Sequence, residues 1–217
     1  MEEQANLPAG PEKPTGPLIV VGLGNPGMEY VWTPHNAGFM AIDRIAQQQG
    51  IVVQNRRSKA LTAATRIGGR EVILAKPETF MNLSGLSVAA LLKEFKIEPD
   101  QRPGSLVVLY DELDLPLGTV KIRERGSAAG HNGARSISGA LGTNEWLRIR
   151  IGVGHDLPAE AITAGAKRRG GTDYLLSPMR KADLAVLDEV LDKVAAAVRQ
   201  IAEDGPAAAM NEFNRRD

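Results

Sequence analysis

Cysteine is absent from the 217 residues. That excludes disulfides, a thiol nucleophile and a zinc–thiolate site, and it fits a reducing compartment. No apolar run approaches the length that crosses a bilayer. Net charge is missing too, since Lys+Arg 26 against Asp+Glu 26 leaves +0. Nonspecific attraction to nucleic acid through global charge is thus disfavoured, while a local basic patch stays open. No G-x-S-x-G elbow offers a serine nucleophile. His35, His131 and His155 show no metal spacing such as H-E-x-x-H. Internal repeats are lacking as well.

Residues 1–16 hold no apolar stretch and no arginine, so they match neither a signal peptide nor a transit peptide. Rich in Pro, Gly and Glu, they read as a disordered leader. One α/β domain over 17–217 is expected to follow, long enough to bury a real core. The expected location is the cytoplasm.

What is present alternates between two periods. Leu18–Val21 is short and continuously apolar, like a strand buried on both faces. Phe39, Ile42, Ile45 and Ala46 recur at helical spacing up to Gln49, and Gly50 closes that helix. Leu61–Ile67 and Glu71–Ala75, joined by Gly68-Gly69, predict a hairpin. A helix is expected from Gly85 to Phe95, capped by Ser84 or Asn82. Pro99 to Gly104 reads as a linker, and Leu106–Tyr110 as a second buried strand with Asp111 at its carboxyl end.

Further strands are predicted at Thr119–Arg123 and at Trp146–Val153, the latter half-buried because Arg148 and Arg150 alternate with apolar residues. Between them lie a glycine-rich loop, Gly126 to Gly133, and a helix, Ala134 to Leu141. Residues 155–178 are loop-rich and basic. A long helix, Arg180 to Ala202, carries Leu184, Leu187, Leu191, Val194, Val198 and Ile201 on one stripe. That stripe suits packing on its own domain better than a coiled coil. These elements predict a single-domain three-layer α/β sandwich whose mixed, mostly parallel central sheet is flanked by helices. The polar clusters after Val21, Ala75 and Tyr110 then share the carboxyl edge of the sheet, where ligands bind in open α/β folds.

The densest of these clusters is Gly22-Leu23-Gly24-Asn25-Pro26-Gly27 through His35. It matches the dinucleotide pattern G-x-G-x-x-G, but that pattern needs a helix to begin inside it. Pro26, Gly27 and the following non-helical stretch prevent this. What remains is His35, the acid Asp111 and the loop asparagines Asn25, Asn82 and Asn132. A histidine steadied by a carboxylate is the default general base near neutral pH, and amides can bind a carbonyl or an oxyanion. With thiol and serine nucleophiles excluded, water would be the attacking group. On pattern alone a second account stands beside this one: His35 caps the next helix, and Asn25 and Asn132 are turn residues.

Several blocks together carry a resemblance. They are Gly22 to Gly27 with Tyr30 and Thr33-Pro34-His35-Asn36-Ala37-Gly38, then Lys76 to Gly85, then Asp111 to Pro116. Gly130-His131-Asn132-Gly133, Arg148 to Gly154 and the segment Asp204 to Asn211 follow in order. Over about residues 18–214 the chain resembles the bacterial peptidyl-tRNA hydrolase family. The resemblance implies hydrolysis of the ester between a peptide and the 3′ end of tRNA, recycling tRNA from abortive translation. It further implies His35 as general base, Asp111 as its support, and Asn25 as the group that tells an N-blocked aminoacyl residue from a free one.

The same resemblance assigns Tyr30, Phe80, Met81, Asn82 and Asn132 to substrate contacts. Lys121, Arg123 and Arg150 would clamp phosphate of the acceptor stem, contacts that position without reading sequence. It implies no metal and no organic cofactor, no membrane, no obligate protein partner, and a monomer. Two departures stand out: Pro34 precedes the histidine, and Ala128-Ala129 replace glycines common in the family's loop. The competing reading is a catalytically silent, RNA-binding relative on the same fold, which would keep the basic groove without needing the full site.

Overall fold

The computed structural model describes residues 16–154 and 171–215. All of the expected leader but Gly16 lies outside the described residues, as do His155 and the basic run Lys167-Arg168-Arg169. The strands are β1 (Leu18–Gly22), β2 (Asn55–Arg57), β3 (Ala60–Ile67), β4 (Arg70–Pro77), β5 (Leu106–Pro116), β6 (Val120–Arg125) and β7 (Glu145–Gly154). They form one sheet in the order β2-β3-β4-β1-β5-β7-β6. The four central strands pair in parallel, while β2, β3 and β6 add antiparallel edges.

The helices are α1 (Ala37–Gln48), α2 (Ser84–Glu94), α3 (Arg102–Ser105), α4 (Asn132–Leu141), α5 (Gly171–Leu175), α6 (Lys181–Asp204) and α7 (Pro206–Phe213). Because strand side chains alternate, β1 and β5 feed two cores at once. Leu18, Val20, Val107 and Leu109 join Ile42, Leu187, Val194, Val198 and Ala209 beneath α1, α6 and α7. Ile19, Val21, Val108 and Tyr110 join Val88, Leu91 and Ile137 beneath α2 and α4. Each fully buried Val, Leu or Ile contributes about 1.5–3 kcal/mol, so the central strands anchor both layers. The stripe on α6 serves the first of these cores.

Several expectations need correction. Asp111 does not end its strand: β5 continues to Pro116 because β7 pairs beside it at Glu112 and again at Pro116. The expected linker at 99–104 is two short helical turns, opened by a reciprocal cap between Glu98 and Gln101. Neither Ser84 nor Asn82 caps α2; its N-cap is Leu83, without a side-chain hydrogen bond, and Ser84 Oγ donates to the Met81 carbonyl. The short strand β2 and the helix α7 were not anticipated. The largest departure is β7, where Arg148 is only 1% exposed. Its alternation with apolar neighbours is real, but on the polar face Arg148 is covered while Arg150 stays partly exposed.

Both edges of the sheet are blunted. β2 has three residues, two of them arginine, and short charged edges resist pairing with another chain. At β6 the Asn214 side chain acts as a surrogate strand. Its Oδ1 accepts from the Ile122 N–H at 2.8 Å and its Nδ2 donates to the Ile122 carbonyl at 3.0 Å.

Candidate active site

The end of β1 and the start of α1 touch backbone to backbone. A Cβ on Gly22 would lie 2.1 Å from the Gly38 carbonyl oxygen, and a Cβ on Gly24 would strike the Phe39 ring at 2.6 Å. The first two glycines of the apparent dinucleotide pattern are thus consumed by packing of the chain on itself, and Gly27 serves a backbone turn at a φ of 126°. This approach fixes the intervening loop, which ends in a tight turn over Pro34–Asn36. Pro34 takes the first position of that turn, where a missing N–H costs nothing and a fixed φ helps. Asn36 then ties turn to loop at two points. Its Oδ1 accepts from the Asn25 N–H at 2.9 Å, and its Nδ2 donates to the Asn25 carbonyl at 3.1 Å.

His35 emerges from this turn beside β5. Its Nδ1 lies 2.9 Å from Asp111 Oδ1, and His131 Nε2 lies 2.9 Å from the same oxygen. His131 is the N-cap of α4, and its Nδ1 accepts from the Ala134 N–H at 3.1 Å. With Nδ1 occupied as an acceptor, the His131 proton sits on Nε2 and points at Asp111. A carboxylate accepts only, so His35 must also present a proton, on Nδ1. Among the described residues its Nε2 keeps a free lone pair, on a residue that lines the site cavity.

One ligand atom from each of these three side chains fits within 4.8 Å, the span of a metal site. The commitment of His131 Nδ1 to helix α4 makes the trio a hydrogen-bonded relay instead. Asp111 is 1% exposed, and its Oδ2 has no hydrogen-bond partner among the described residues. Burial alone would push its pKa up, but attraction and hydrogen bonds from His131 and then His35 outweigh that and hold it well below the usual carboxylate range.

The cavity of about 510 Å³ in front of this pair is lined by Asn25, His35, Phe80, Met81, Asn82, Asp111 and Asn132 together with His131. Asn25 Oδ1 accepts from the Met81 N–H at 2.8 Å, so its Nδ2 is the group left to donate. Ala129 and Gly130 form part of the rim. Ala129 holds a left-handed φ of 45° that costs a non-glycine residue roughly 1–2 kcal/mol. A larger cavity of about 730 Å³ opens between α1 and α6 near Trp32 and Lys76. It contains no histidine, and the chemistry lies with the smaller one.

Tyr30, Lys121, Arg123 and Arg150 do not line the site cavity. Lys121 and Arg123 sit on β6, register-paired with Arg150 and Arg148 of β7, so four cations share one sheet face. Arg150 is engaged by the buried Glu112, with Nε 2.7 Å from Oε2. Lys121 Nζ lies 3.4 Å from the Asn214 carbonyl. Sequence reasoning missed the roles of Asn36 and His131. Both adjoin residues it singled out, yet nothing local distinguishes a histidine that reaches a carboxylate 20 positions away.

Comparison with known proteins agrees over nearly the whole chain. The family model described as peptidyl-tRNA hydrolase matches residues 19–217. The peptidyl-tRNA hydrolase of Acidobacterium capsulatum is 57% identical over 200 residues, covering 92% of this chain and 96% of that one. That of Koribacter versatilis is 52% identical, covering 91% and 92%. A crystal structure of the enzyme from Acinetobacter baumannii superposes with a TM-score of 0.77 at 31% identity, covering 92% and 95%.

The depressed Asp111 carboxylate has a measurable consequence. A carboxylate whose folded pKa lies below its unfolded value of about 3.9 stabilises the fold above that pH and loses the contribution as pH falls. The gap in melting temperature between wild type and Asp111→Asn is therefore expected to be widest above about pH 4 and to shrink as the pH falls below the unfolded value. A gap independent of pH would contradict the ionised, imidazole-held carboxylate.

Proposed function

The chain belongs to the peptidyl-tRNA hydrolase family and hydrolyses the ester of peptidyl-tRNA, and we propose that water activated by His35 Nε2 carries out the attack. The observation behind this is the shared Asp111 oxygen, which accepts the Nδ1–H of His35 at 2.9 Å and leaves Nε2 as the base. His35 takes a proton from water as the oxygen bonds to the ester carbonyl carbon. When the tetrahedral intermediate collapses, the bond to the ribose oxygen breaks and the imidazolium returns its proton to that oxygen. Asp111 stabilises the imidazolium between the two transfers. Such a positioned base supplies typically about 10²–10⁴-fold.

Asn25 Nδ2 faces this chemistry as a donor, its Oδ1 being held by Met81. A donor there suits a carbonyl, either the developing oxyanion or the acyl oxygen of an N-blocked residue, and offers nothing to a free ammonium. Met81, Asn82, Phe80 and Asn132 surround the acyl and 3′-terminal end of the substrate, and Tyr30 contributes from the preceding loop. Lys121, Arg123 and Arg150 receive acceptor-stem phosphate; Arg150 acts from its pair with Glu112, which takes its Nε and Nη2. The protein works as a monomer in the cytoplasm, where translation produces its substrate, without an obligate protein partner. The blunted edges of the sheet support the monomer. Among the described residues no helix is long and apolar enough to cross a membrane. The intact His35–Asp111–Asn25 set favours catalysis over a silent RNA-binding role.

Release of deacylated tRNA from N-acetylaminoacyl-tRNA should fall about 10²–10⁴-fold in kcat for His35→Ala, while the free-amine aminoacyl-tRNA is cleaved poorly by wild type. Retained hydrolysis in the variant would remove His35 as the base. For the phosphate face, replacing Lys121 and Arg123 by alanine should flatten the plot of log binding constant against log salt by about 0.9 for every phosphate no longer neutralised. An unchanged slope would take them out of the tRNA interface.

A further inference from the structure

Arg148 is a buried cation with no carboxylate among its hydrogen-bond partners in the described residues; besides the buried Tyr110 hydroxyl, it is met by backbone carbonyls. Its Nη1 donates to the Ser127 carbonyl at 3.2 Å, its Nη2 to the Asn144 carbonyl at 2.8 Å and its Nε to the Trp146 carbonyl at 3.4 Å. The guanidinium carbon stacks 3.5 Å from the centre of the Trp146 ring, and the Trp146 indole N–H in turn reaches Ser138 Oγ on α4. Burying a charge this way is costly, and an apolar residue would fill the space more cheaply. Arg123 lies opposite in register and adds repulsion rather than relief. What arginine alone supplies here is a rigid planar fork of divergent donors together with a flat face for stacking.

The two loops that this fork joins flank α4. Ser127 belongs to the loop that enters the helix, and Asn144 to the loop that leaves it after Gly142. The entering loop supplies Ala129 and Gly130 to the rim of the site cavity, and the N-terminus of α4 supplies His131 and Asn132. The loop also closes on itself, as the His131 N–H donates to the Ala128 carbonyl at 2.8 Å. Two glycines and Ala129 at positive φ give it a backbone of low intrinsic preference for this shape. An external tie is what such a loop needs.

We propose that Arg148 is a positioning residue for substrate binding: by clamping both loops around α4 it sets the placement of the rim loop and of Asn132 against the acyl and 3′-terminal end of peptidyl-tRNA. The proposal rests on the reading of that cavity as the substrate site, but not on His35 as the base. The rim and Asn132 hold substrate rather than move protons, and His131 keeps its own ties to Asp111 and to the first turn of α4, so loss of the clamp reads out in KM more than in kcat.

The test is steady-state hydrolysis of N-acetylaminoacyl-tRNA by Arg148→Met and Arg148→Lys, with amide hydrogen exchange on the same proteins. Both variants are expected to raise KM about 10–100-fold with a smaller change in kcat, and to speed exchange at residues 127–131 while amides of β1 stay protected. Lysine keeps the charge without the fork, so it should fail to rescue. Should Arg148→Met not fold, Arg148→Lys and Arg148→Gln carry the same comparison. An unchanged KM in folded variants, or full rescue by lysine, overturns the proposal. A wild-type-like kcat for His35→Ala would sink the base assignment and leave the KM shift of the Arg148 variants standing, so the two readings fail separately.

Discussion

One carboxylate oxygen orders the site. Asp111 Oδ1 accepts an N–H from His35 and another from His131, and each imidazole is thereby forced into a single tautomer. For His131 the choice is over-determined, because its other nitrogen caps α4. For His35 it is what makes the residue useful, since only the Nδ1–H form leaves a basic nitrogen turned away from the carboxylate. Burying this carboxylate carries a desolvation penalty, and the two imidazoles, the only hydrogen-bond partners of its side chain among the described residues, outweigh it. A desolvated group with a single bonded oxygen is an arrangement found where a reacting group is held in place.

Everything near this oxygen is placed by close packing rather than by local preference. Gly22, Gly24 and Gly38 let α1 settle onto the end of β1, which brings the turn carrying His35 against β5. Asn36 fastens that turn to the loop carrying Asn25, and Asn25 is fastened to Met81 beyond β4. Arg148 does the same for the opposite wall. The ends of β1 and β4 and the N-terminus of α4 thus converge on Asp111 in mid-β5, largely through side-chain to backbone hydrogen bonds, each worth about 0.5–1.5 kcal/mol on its own and all of them geometric constraints.

Much of this was legible beforehand, and the misses have physical causes. β1 and the hairpin of β3 and β4 follow from apolar runs and from a Gly-Gly turn that tolerates positive φ. The stripe on α6 follows from its period. Asn25, His35, Asn82, Asp111 and Asn132, named from their residue types and from family blocks, do line one cavity. The length of β5 was not legible because its last residues extend only through pairing with β7, a neighbour nearly forty positions away. The burial of Arg148 was hidden for a related reason: a period of two separates the faces of a strand but does not say which face water reaches. His131 had no local signature at all. Its role exists only once α4 lies beside β5.

The most direct measurement is nitrogen NMR of the His35 ring in protein labelled with ¹⁵N at histidine, above the pH at which the imidazole is charged. A protonated Nδ1 coupled to its hydrogen, with Nε2 showing the shift of a bare, basic nitrogen, is the result predicted by the shared-oxygen geometry. A proton on Nε2 with a bare Nδ1 would contradict it, because the base would then face the carboxylate instead of the substrate.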